Sequence, residues 1–362
     1  MSLDREAQHE LSQPQPLIRL PSHATAVTDA DEEVFLLYTQ LAALKPEDGD
    51  TGQPFRGLGF LNSTQDSLMV RFEVKPALVQ APETSPQDAN KSSTKLSGRS
   101  KGRSAKAKGK SKQKDETRVI EVELAQDATA LRSRSGDTGS VLWKASMDFA
   151  QLVLQEYYFP HPEVESLFDS AALRDAHILE LGSACFPSYF RIAPLTHITI
   201  HSSSSGTGLL SLVLGPLVQR YTATDIPALV PLLRKNISHL APPPHSPSSS
   251  HTPDISAHAL DWTLPAARQL PDALPAPDLL LAVDCIYHPA LVRPLVETLS
   301  ALAVPRHTRV LVVSELRAED VVRAFLEAWL ARRDAGEEWQ VWSLSDHGMG
   351  ARYAVWVGWR EA

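Results

Sequence analysis

The chain has 362 residues, and its 35 Lys and Arg against 43 Asp and Glu give a formal net charge of −8. Its longest apolar run falls far short of the roughly 18 to 20 residues of a membrane helix, and its first residues lack the apolar core of a secretory signal. Two cysteines are too few for a disulfide framework or a cysteine-based metal site, and the 13 histidines are scattered. We therefore expect a monomeric protein of the cytoplasm, or alternatively of the nucleus or nucleolus, without membrane contact or bound metal.

The charge is distributed unevenly along the chain. Ten Lys and Arg, and no acidic residue, lie between Lys91 and Lys114, which leaves 25 basic against 43 acidic residues elsewhere. This segment lacks the apolar side chains whose burial would offset the entropy of ordering it, so we expect residues 85–116 to be a disordered basic loop. Two interpretations stay open: a nuclear address or non-specific RNA contact, and a solvated insertion between two strands.

The N-terminal third shows weak but readable patterns. Residues 1–32 predict a disordered tail, and apolar residues at helical spacing predict a helix over 32–44. Alternation of apolar and polar residues predicts strands at 55–61, 67–75 and 118–124. We expect residues 33–130 to form a small α+β appendage that contains the basic loop.

From residue 131 to residue 362, strands alternate with helices. Predicted strands cover residues 177–183, 220–225, 255–262, 278–285, 309–316, 339–346 and 352–359. Predicted helices begin at residues 141, 207, 226, 289 and 318, and a proline-rich loop covers residues 241–254. This alternation predicts an α/β fold: a seven-stranded, doubly wound sheet of order 3-2-1-4-5-7-6 with an antiparallel last strand.

Ligands of such sheets bind beyond the carboxyl ends of the strands. The first strand ends in Gly182 and Ser183, but the glycine turn that should follow, with Gly206 and Gly208, comes 22 residues late. Glycines there let backbone N–H groups approach a ligand closely. Asp225 ends the second strand, where an acceptor for ribose hydroxyls belongs; the alternative is that it caps the next helix.

The 22 residues from Ala184 to Ser205 are unusually apolar and aromatic for a surface loop. If Ser183 is encoded AGT and Ser205 AGC, the stretch between them begins with GT and ends with AG, and Leu195-Thr196 can encode a branch site. We hypothesise a translated intron, so that the enzyme itself has a continuous ELGSGTG. The alternative is a genuine insertion, and the genomic sequence distinguishes the two.

Five segments resemble, in the same order, the seven-β-strand protein-lysine methyltransferases of the methyltransferase-like-21 group. They are VLWKAS, ELGS with the displaced GTG, TATDIPALVPLLRKNI, LDW and VDCIYHPALVRPLVETL. Among members of that group, the sequence most resembles the fungal ribosomal lysine N-methyltransferase 5 enzymes, over roughly residues 140–360. The resemblance implies a seven-stranded Rossmann-like fold and methyl transfer from S-adenosyl-L-methionine to a lysine of a protein, for these enzymes one of the large ribosomal subunit.

The resemblance also implies roles for single residues at the cofactor. Its cofactor-binding positions correspond to Trp143, Gly182, Ser183, Gly206, Gly208, Asp225, Trp262 and Val283. Trp143 would cover the cofactor, Asp225 would bind the ribose, and Trp262 would lie beside the adenine. An aromatic face suits a sulfonium because that group is a cation. The alternative for any one tryptophan taken alone is a core or surface aromatic residue.

The lysine side of the site corresponds to the D-x-x-Y segment, Asp284 to Tyr287. A lysine attacks only as the neutral amine, so its pKa of ~10.4 must be offset by desolvation and positioning. We hypothesise that Asp284 attracts the incoming ammonium and that Tyr287 orients the lone pair. The alternative is that Asp284 is a helix cap and Tyr287 a structural phenol.

Two other classes of protein are alternatives. A nicotinamide oxidoreductase needs the motif G-x-G-x-x-G. Even after removal of the interruption, Ser211 stands here at the position of the third glycine. A catalytically impaired binding protein of the methyltransferase fold follows if the interruption is genuine. The acidic body suits a basic protein substrate, such as a ribosomal protein, because opposite charges speed encounter.

Overall fold

The structure is a computed structural model, and it describes residues 16–44, 66–76, 117–126, 142–161, 164–182, 207–239, 253–344 and 348–361. The basic loop, the interruption at residues 184–205, the predicted strand at 55–61 and most of the proline-rich loop lie outside these ranges. Ser183 and Gly206 lie outside them too.

Strands and helices occupy most of the described chain. The strands are β1 (Thr25–Ala26), β2 (Ser67–Val74), β3 (Arg118–Ala125), β4 (His177–Leu181), β5 (Arg220–Asp225), β6 (Asp254–Ala259), β7 (Leu279–Val283), β8 (Arg309–Glu315), β9 (Trp339–Ser343) and β10 (Tyr353–Arg360). The helices are α1 (Ala30–Ala42), α2 (Lys144–Tyr158), α3 (Ser170–Asp175), α4 (Leu209–Leu214), α5 (Val230–Ser238), α6 (Pro289–Leu302) and α7 (Glu319–Leu330).

Within the described ranges, the main sheet has eight strands in the order β1-β9-β10-β8-β7-β4-β5-β6. Strands β6, β5, β4, β7 and β8 are parallel, and β10 is antiparallel to both β8 and β9. The relative order of the seven predicted strands and the antiparallel last strand agree with the prediction. The predicted strand count of seven is wrong, because β1 adds an eighth strand to the edge of β9.

The predicted tail is the second correction. Leu17, Ile18 and Val27 are buried, and Ile18 forms a bridge with Phe168. Burial of these apolar side chains offsets the entropy of ordering a segment that has no periodicity of its own. Residues 16–32 therefore belong to the folded body.

The described part of the predicted appendage has the helix and two of the three predicted strands, but these elements share the cores of the main sheet. Val34 of α1 lies in the core that covers one face, together with Phe325 of α7. Phe72 of β2 lies in the core of the opposite face, together with Phe149 of α2. The hairpin of β2 and β3 packs on α2, α4 and α5. These elements extend the sheet's two helical layers and do not form a separate unit.

The central strands β4 and β7 are buried throughout, as their continuous apolar sequences predict for parallel strands covered on both faces. Their carboxyl ends, with those of β5 and β8, lie along one edge of the sheet. No helix in the described ranges is long and apolar enough to cross a membrane.

Candidate active site

Four parallel strands present their carboxyl ends side by side. β4 ends at Leu181, β5 at Asp225, β7 at Val283 and β8 at Glu315. The antiparallel strand β10 begins at the same edge, since Tyr353 lies opposite Glu315. Polar groups that follow these strands are therefore brought together although they are distant in sequence.

Asp284 follows β7 directly and is fully buried. Its φ of 58° lies in the left-handed region, which Asp and Asn adopt more readily than other residues with a side chain. This turn is fixed by its backbone N–H, which donates to Val313 O at 2.6 Å. The Asp284 carboxylate accepts the backbone N–H of Glu315 at 3.3 Å, so it faces the neighbouring strand β8.

Arg317 forms a bidentate ion pair with the Asp284 carboxylate. Its Nη1 and Nη2 donate to the two carboxylate oxygens of Asp284 at 3.1 and 2.7 Å, and Nη2 also donates to Glu315 Oε2 at 2.6 Å. The guanidinium lies 5.4 Å from the ring centroid of Trp143. Burial opposes its charge, but Asp284 and Glu315 raise the pKa of Arg317 above its ordinary value. A charged Arg317 thus connects Trp143 with Asp284, the residues predicted for the cofactor and the amine.

Tyr353 adds a neutral phenol beside this cluster. Its hydroxyl donates to Asp148 Oδ2 at 2.7 Å, and Asp148 also pairs with Lys144 in the first turn of α2. Burial raises the pKa of Tyr353, and the hydrogen bond to Asp148 and nearby carboxylates raise it further. Tyr353 therefore remains a hydrogen-bond donor and does not act as a base.

Trp143 is fully buried and is the N-cap residue of α2, which begins at Lys144, three residues later than predicted. Its position is fixed from the hairpin side, where the backbone N–H of Leu142 donates to Gln126 Oε1 at 2.9 Å. Gln126 follows β3 directly. The hairpin thereby anchors the segment that carries Trp143.

Two glycines of the glycine turn adopt the left-handed backbone conformation, which glycine tolerates better than other residues. Gly182 and Gly208 have φ values of 65° and 71°. A Cβ on Gly208 would lie 2.9 Å from Leu233 Cδ2. Thr207 lies between the turn and α4. Its carbonyl oxygen accepts a hydrogen bond from Asn236 Nδ2 at 2.8 Å, which fixes its position. Both glycines therefore leave backbone accessible where a side chain would be strained.

Asp225 is buried, and its Oδ1 accepts the backbone N–H of Ile226 at 2.7 Å. The next helix, α5, begins at Val230 with Leu229 as its N-cap, four residues later than predicted. The alternative that Asp225 caps this helix is wrong. Its assignment to a ribose stays a prediction.

The remaining predicted residues lie around the same edge. β6 ends at Ala259, so half-buried Trp262 stands in the following turn and not on a strand as predicted. Val283 is the buried last residue of β7, and the Cys285 thiol donates to Leu181 O at 3.2 Å. This contact ties the end of β7 to the end of β4.

Tyr287 is half-buried and precedes α6, whose first residue is Pro289 and whose N-cap is His288. His288 accepts the N–H of Ala290 through Nδ1, so the helix start is satisfied without Asp284 or Tyr287. The alternative that Asp284 is the cap is therefore wrong. The predicted role of Tyr287 stays a prediction.

Two buried hydroxyls on neighbouring segments suit a polar ligand. Ser146 Oγ on α2 and Thr207 Oγ1 have no hydrogen-bond partner among the residues that the structure describes. Helices α2 and α4 pack against each other, which places both hydroxyl-bearing segments in one layer. A buried polar atom normally has a partner. With the carboxylate of Asp225 and the ring of Trp143, this donor and acceptor set fits a cationic nucleoside cofactor.

Sequence reasoning missed three residues of the cluster. Glu315 would have been found by applying the strand-end rule to β8 as well. Arg317, two residues further, has no signal of its own. Tyr353 and Glu315 meet only through the pairing of β10 with β8, which no local pattern reveals.

Residues 195–330 match the sequence model of a family described as lysine methyltransferase. The match covers a little over a third of the chain. It includes Asp225, Asp284 and Arg317, but not Trp143 or Gly182.

Two curated relatives are similar over part of the chain. One, from Schizosaccharomyces pombe, is named diaminohydroxyphosphoribosylamino-pyrimidine deaminase; it is 29% identical over 57% of this chain and 41% of its own length. The other, ribosomal lysine N-methyltransferase 5 of Eremothecium gossypii, is 28% identical over 56% of this chain and 71% of its own length.

Solved structures show only low similarity. The O-methyltransferase TomG from Streptomyces achromogenes, solved with SAM, is 13% identical, with 60% of this chain and 90% of that chain covered and a TM-score of 0.33. This similarity is too low to bear on function.

Proposed function

We propose that this protein is an S-adenosyl-L-methionine-dependent protein-lysine N-methyltransferase that acts on a protein of the large ribosomal subunit. The observation that carries the proposal is the Arg317 bridge, because it brings Trp143 and Asp284 together at the carboxyl edge of the sheet. The family match over residues 195–330 and the similarity to a fungal ribosomal lysine methyltransferase support the choice of lysine and of ribosomal substrate.

The cofactor side is formed by residues already described. When bound, S-adenosyl-L-methionine supplies an electrophilic methyl group. Trp143 offers an aromatic face to its cationic sulfonium, and Asp225 offers a buried carboxylate to the ribose hydroxyls. Gly182 and Gly208 allow close backbone approach, while Trp262 and Val283 line the adenine end.

The lysine side is formed around Asp284 and Tyr287. The carboxylates at this edge attract a cationic lysine, and removal of water on binding favours loss of its proton. The neutral amine, which carries the lone pair, then attacks the methyl group in line. The acidic body of the protein supports a basic partner such as a ribosomal protein.

The name of the first relative invites comparison with a deaminase. Zinc-dependent nucleobase deaminases use a C-x-x-C pair together with a His or Cys ligand. The two cysteines here, Cys185 and Cys285, are 100 positions apart in the sequence. The match also spans under half of that relative, so deamination is not proposed for this chain.

The second candidate is a catalytically impaired binding protein, favoured by the interruption between Gly182 and Gly206. Calorimetry with S-adenosyl-L-methionine separates it from the enzyme. Binding without turnover on any ribosomal protein would favour this candidate.

The proposed function is tested by methyl transfer in vitro. The purified protein is incubated with methyl-labelled S-adenosyl-L-methionine and proteins of the large ribosomal subunit from fungal cells that lack this gene. We expect labelled lysine in one protein.

The D225N variant should weaken cofactor binding by about tenfold or more, since it loses a charged acceptor. D254N, at the opposite end of the neighbouring strand β6, is the matched control and should bind like the wild type. Absence of label with bound cofactor contradicts the proposal.

A further inference from the structure

The two carboxylates that share Arg317 differ in accessibility. The Asp284 side chain is 0% exposed and that of Glu315 is 23% exposed. Both oxygens of Asp284 are engaged by the guanidinium, and Oδ1 also accepts the N–H of Glu315. Asp284 therefore has little capacity left to receive a second cation.

Glu315 retains that capacity. Only its Oε2 bonds Arg317, and Oε1 has no hydrogen-bond partner among the described residues. A carboxylate has about four acceptor positions in total. Tyr353 lies opposite Glu315 on β10, but its hydroxyl is directed to Asp148.

The placement of Glu315 also connects it to the cofactor side. The guanidinium that it shares lies over the Trp143 ring at 5.4 Å. Because one guanidinium neutralises only one of two carboxylates, the Asp284, Glu315 and Arg317 group retains one negative charge. That charge is exposed only through Glu315.

We propose that Glu315 receives the ammonium group of the substrate lysine, and that Asp284 acts only as a positioning residue through Arg317. This inference rests on the proposed function, because it concerns the lysine side of the same site. It replaces the expectation that Asp284 itself attracts the ammonium.

The test compares two single-carboxylate variants, E315Q and E319Q. In E315Q, Arg317 stays paired with Asp284, so no buried charge is left alone and the fold should persist. Glu319, at the start of α7, pairs with Arg323 on the surface and is the matched control. Thermal unfolding and calorimetric binding of S-adenosylhomocysteine should be unchanged in both variants.

The first readout is binding of n-butylammonium, a mimic of the lysine side chain, measured by NMR in the presence of S-adenosylhomocysteine. We expect binding to the wild type and to E319Q, and at least about tenfold weaker binding to E315Q. The second readout is the KM for large-subunit ribosomal proteins, which E315Q should raise by about tenfold and E319Q should leave unchanged.

The outcomes separate this inference from the proposed function. Equal binding of n-butylammonium to wild type and E315Q, or no binding to the wild type, overturns the role of Glu315. Loss of S-adenosylhomocysteine binding in E315Q overturns it as well, because Glu315 would then serve the cofactor. Glu315-dependent binding without methyl transfer would support the cation site and contradict the methyltransferase.

Discussion

At the scale of single residues, Arg317 decides how the site is held together. It is the only described side chain shown to contact Asp284, Glu315 and Trp143 together. A buried ion pair adds little net stability, but removal of one partner leaves the other charge uncompensated. The site is therefore sensitive to Arg317 although this residue stands outside the motifs that sequence reasoning identified.

A double-mutant cycle measures this dependence. R317M removes the ion-pair partner of the fully buried Asp284 carboxylate, and we expect a loss of about 3 to 5 kcal/mol in the free energy of unfolding. D284N keeps a residue that tolerates the left-handed backbone and should cost less. In urea unfolding, the double variant should lose clearly less than the two single losses together. R293M, which removes an exposed helical ion pair, is the control, expected within about 0.5 kcal/mol of wild type. Simple additivity would contradict the account.

Glu156 provides a pH prediction away from the site. Burial raises its pKa from 4.5 to about 6, although the N–H groups of Leu167 and Phe168 oppose the shift. Between these values the folded state binds more protons than the unfolded state, so stability falls as the pH rises and then levels. The cost of the ionised form above pH 6 is about 2 kcal/mol.

E156Q removes this cost because a neutral amide oxygen can still accept the N–H of Leu167. We expect the variant to be more stable than the wild type by about 2 kcal/mol in urea unfolding near neutral pH, and to lose this advantage toward pH 4.5. A stability difference that does not change with pH would contradict the assigned pKa.

At the scale of elements, the sequence predicted the helices and strands whose apolar residues recur with a regular period and whose ends are marked by residues such as proline. Helix α6 begins at the predicted residue, Pro289, and its apolar residues share one face. The sequence did not predict β1, because a strand of two residues is too short to show an alternating pattern of apolar and polar residues. Its strand conformation comes from pairing with β9. Residues of the candidate site were predicted where a strand ends in a motif. Arg317 and Tyr353 were not predicted, because their places in the cluster depend on tertiary contacts.

The glycine turn gives a prediction at this scale. G208A combines a strained φ of 71° with a Cβ only 2.9 Å from Leu233 Cδ2, in a packed core. We expect about 2 kcal/mol lower stability and weaker cofactor binding. G336A is the matched control: its φ is 87°, but no atom lies within 4 Å of the added Cβ. It should show only the strain of about 1 kcal/mol and bind cofactor normally. Equal effects of the two variants on cofactor binding would remove the turn from the site.

At the scale of the whole molecule, the sheet is covered on both faces and its carboxyl edge collects the candidate residues. The N-terminal segment belongs to this body: β1 extends the sheet, α1 joins one core and the hairpin joins the other. Because Leu142 is anchored to Gln126, the hairpin also supports the segment that carries Trp143. The hairpin thus contributes to the geometry of this edge.

The central claim, methylation of a lysine in a large-subunit ribosomal protein, is tested most directly in cells. Mass spectrometry compares the ribosomal proteins of cells with and without this gene. We predict that one lysine carries methyl groups in the presence of the gene and is unmodified in its absence, and that the wild-type gene restores the modification while the D225N gene restores it poorly. Identical methylation of every large-subunit lysine in both strains would contradict the claim.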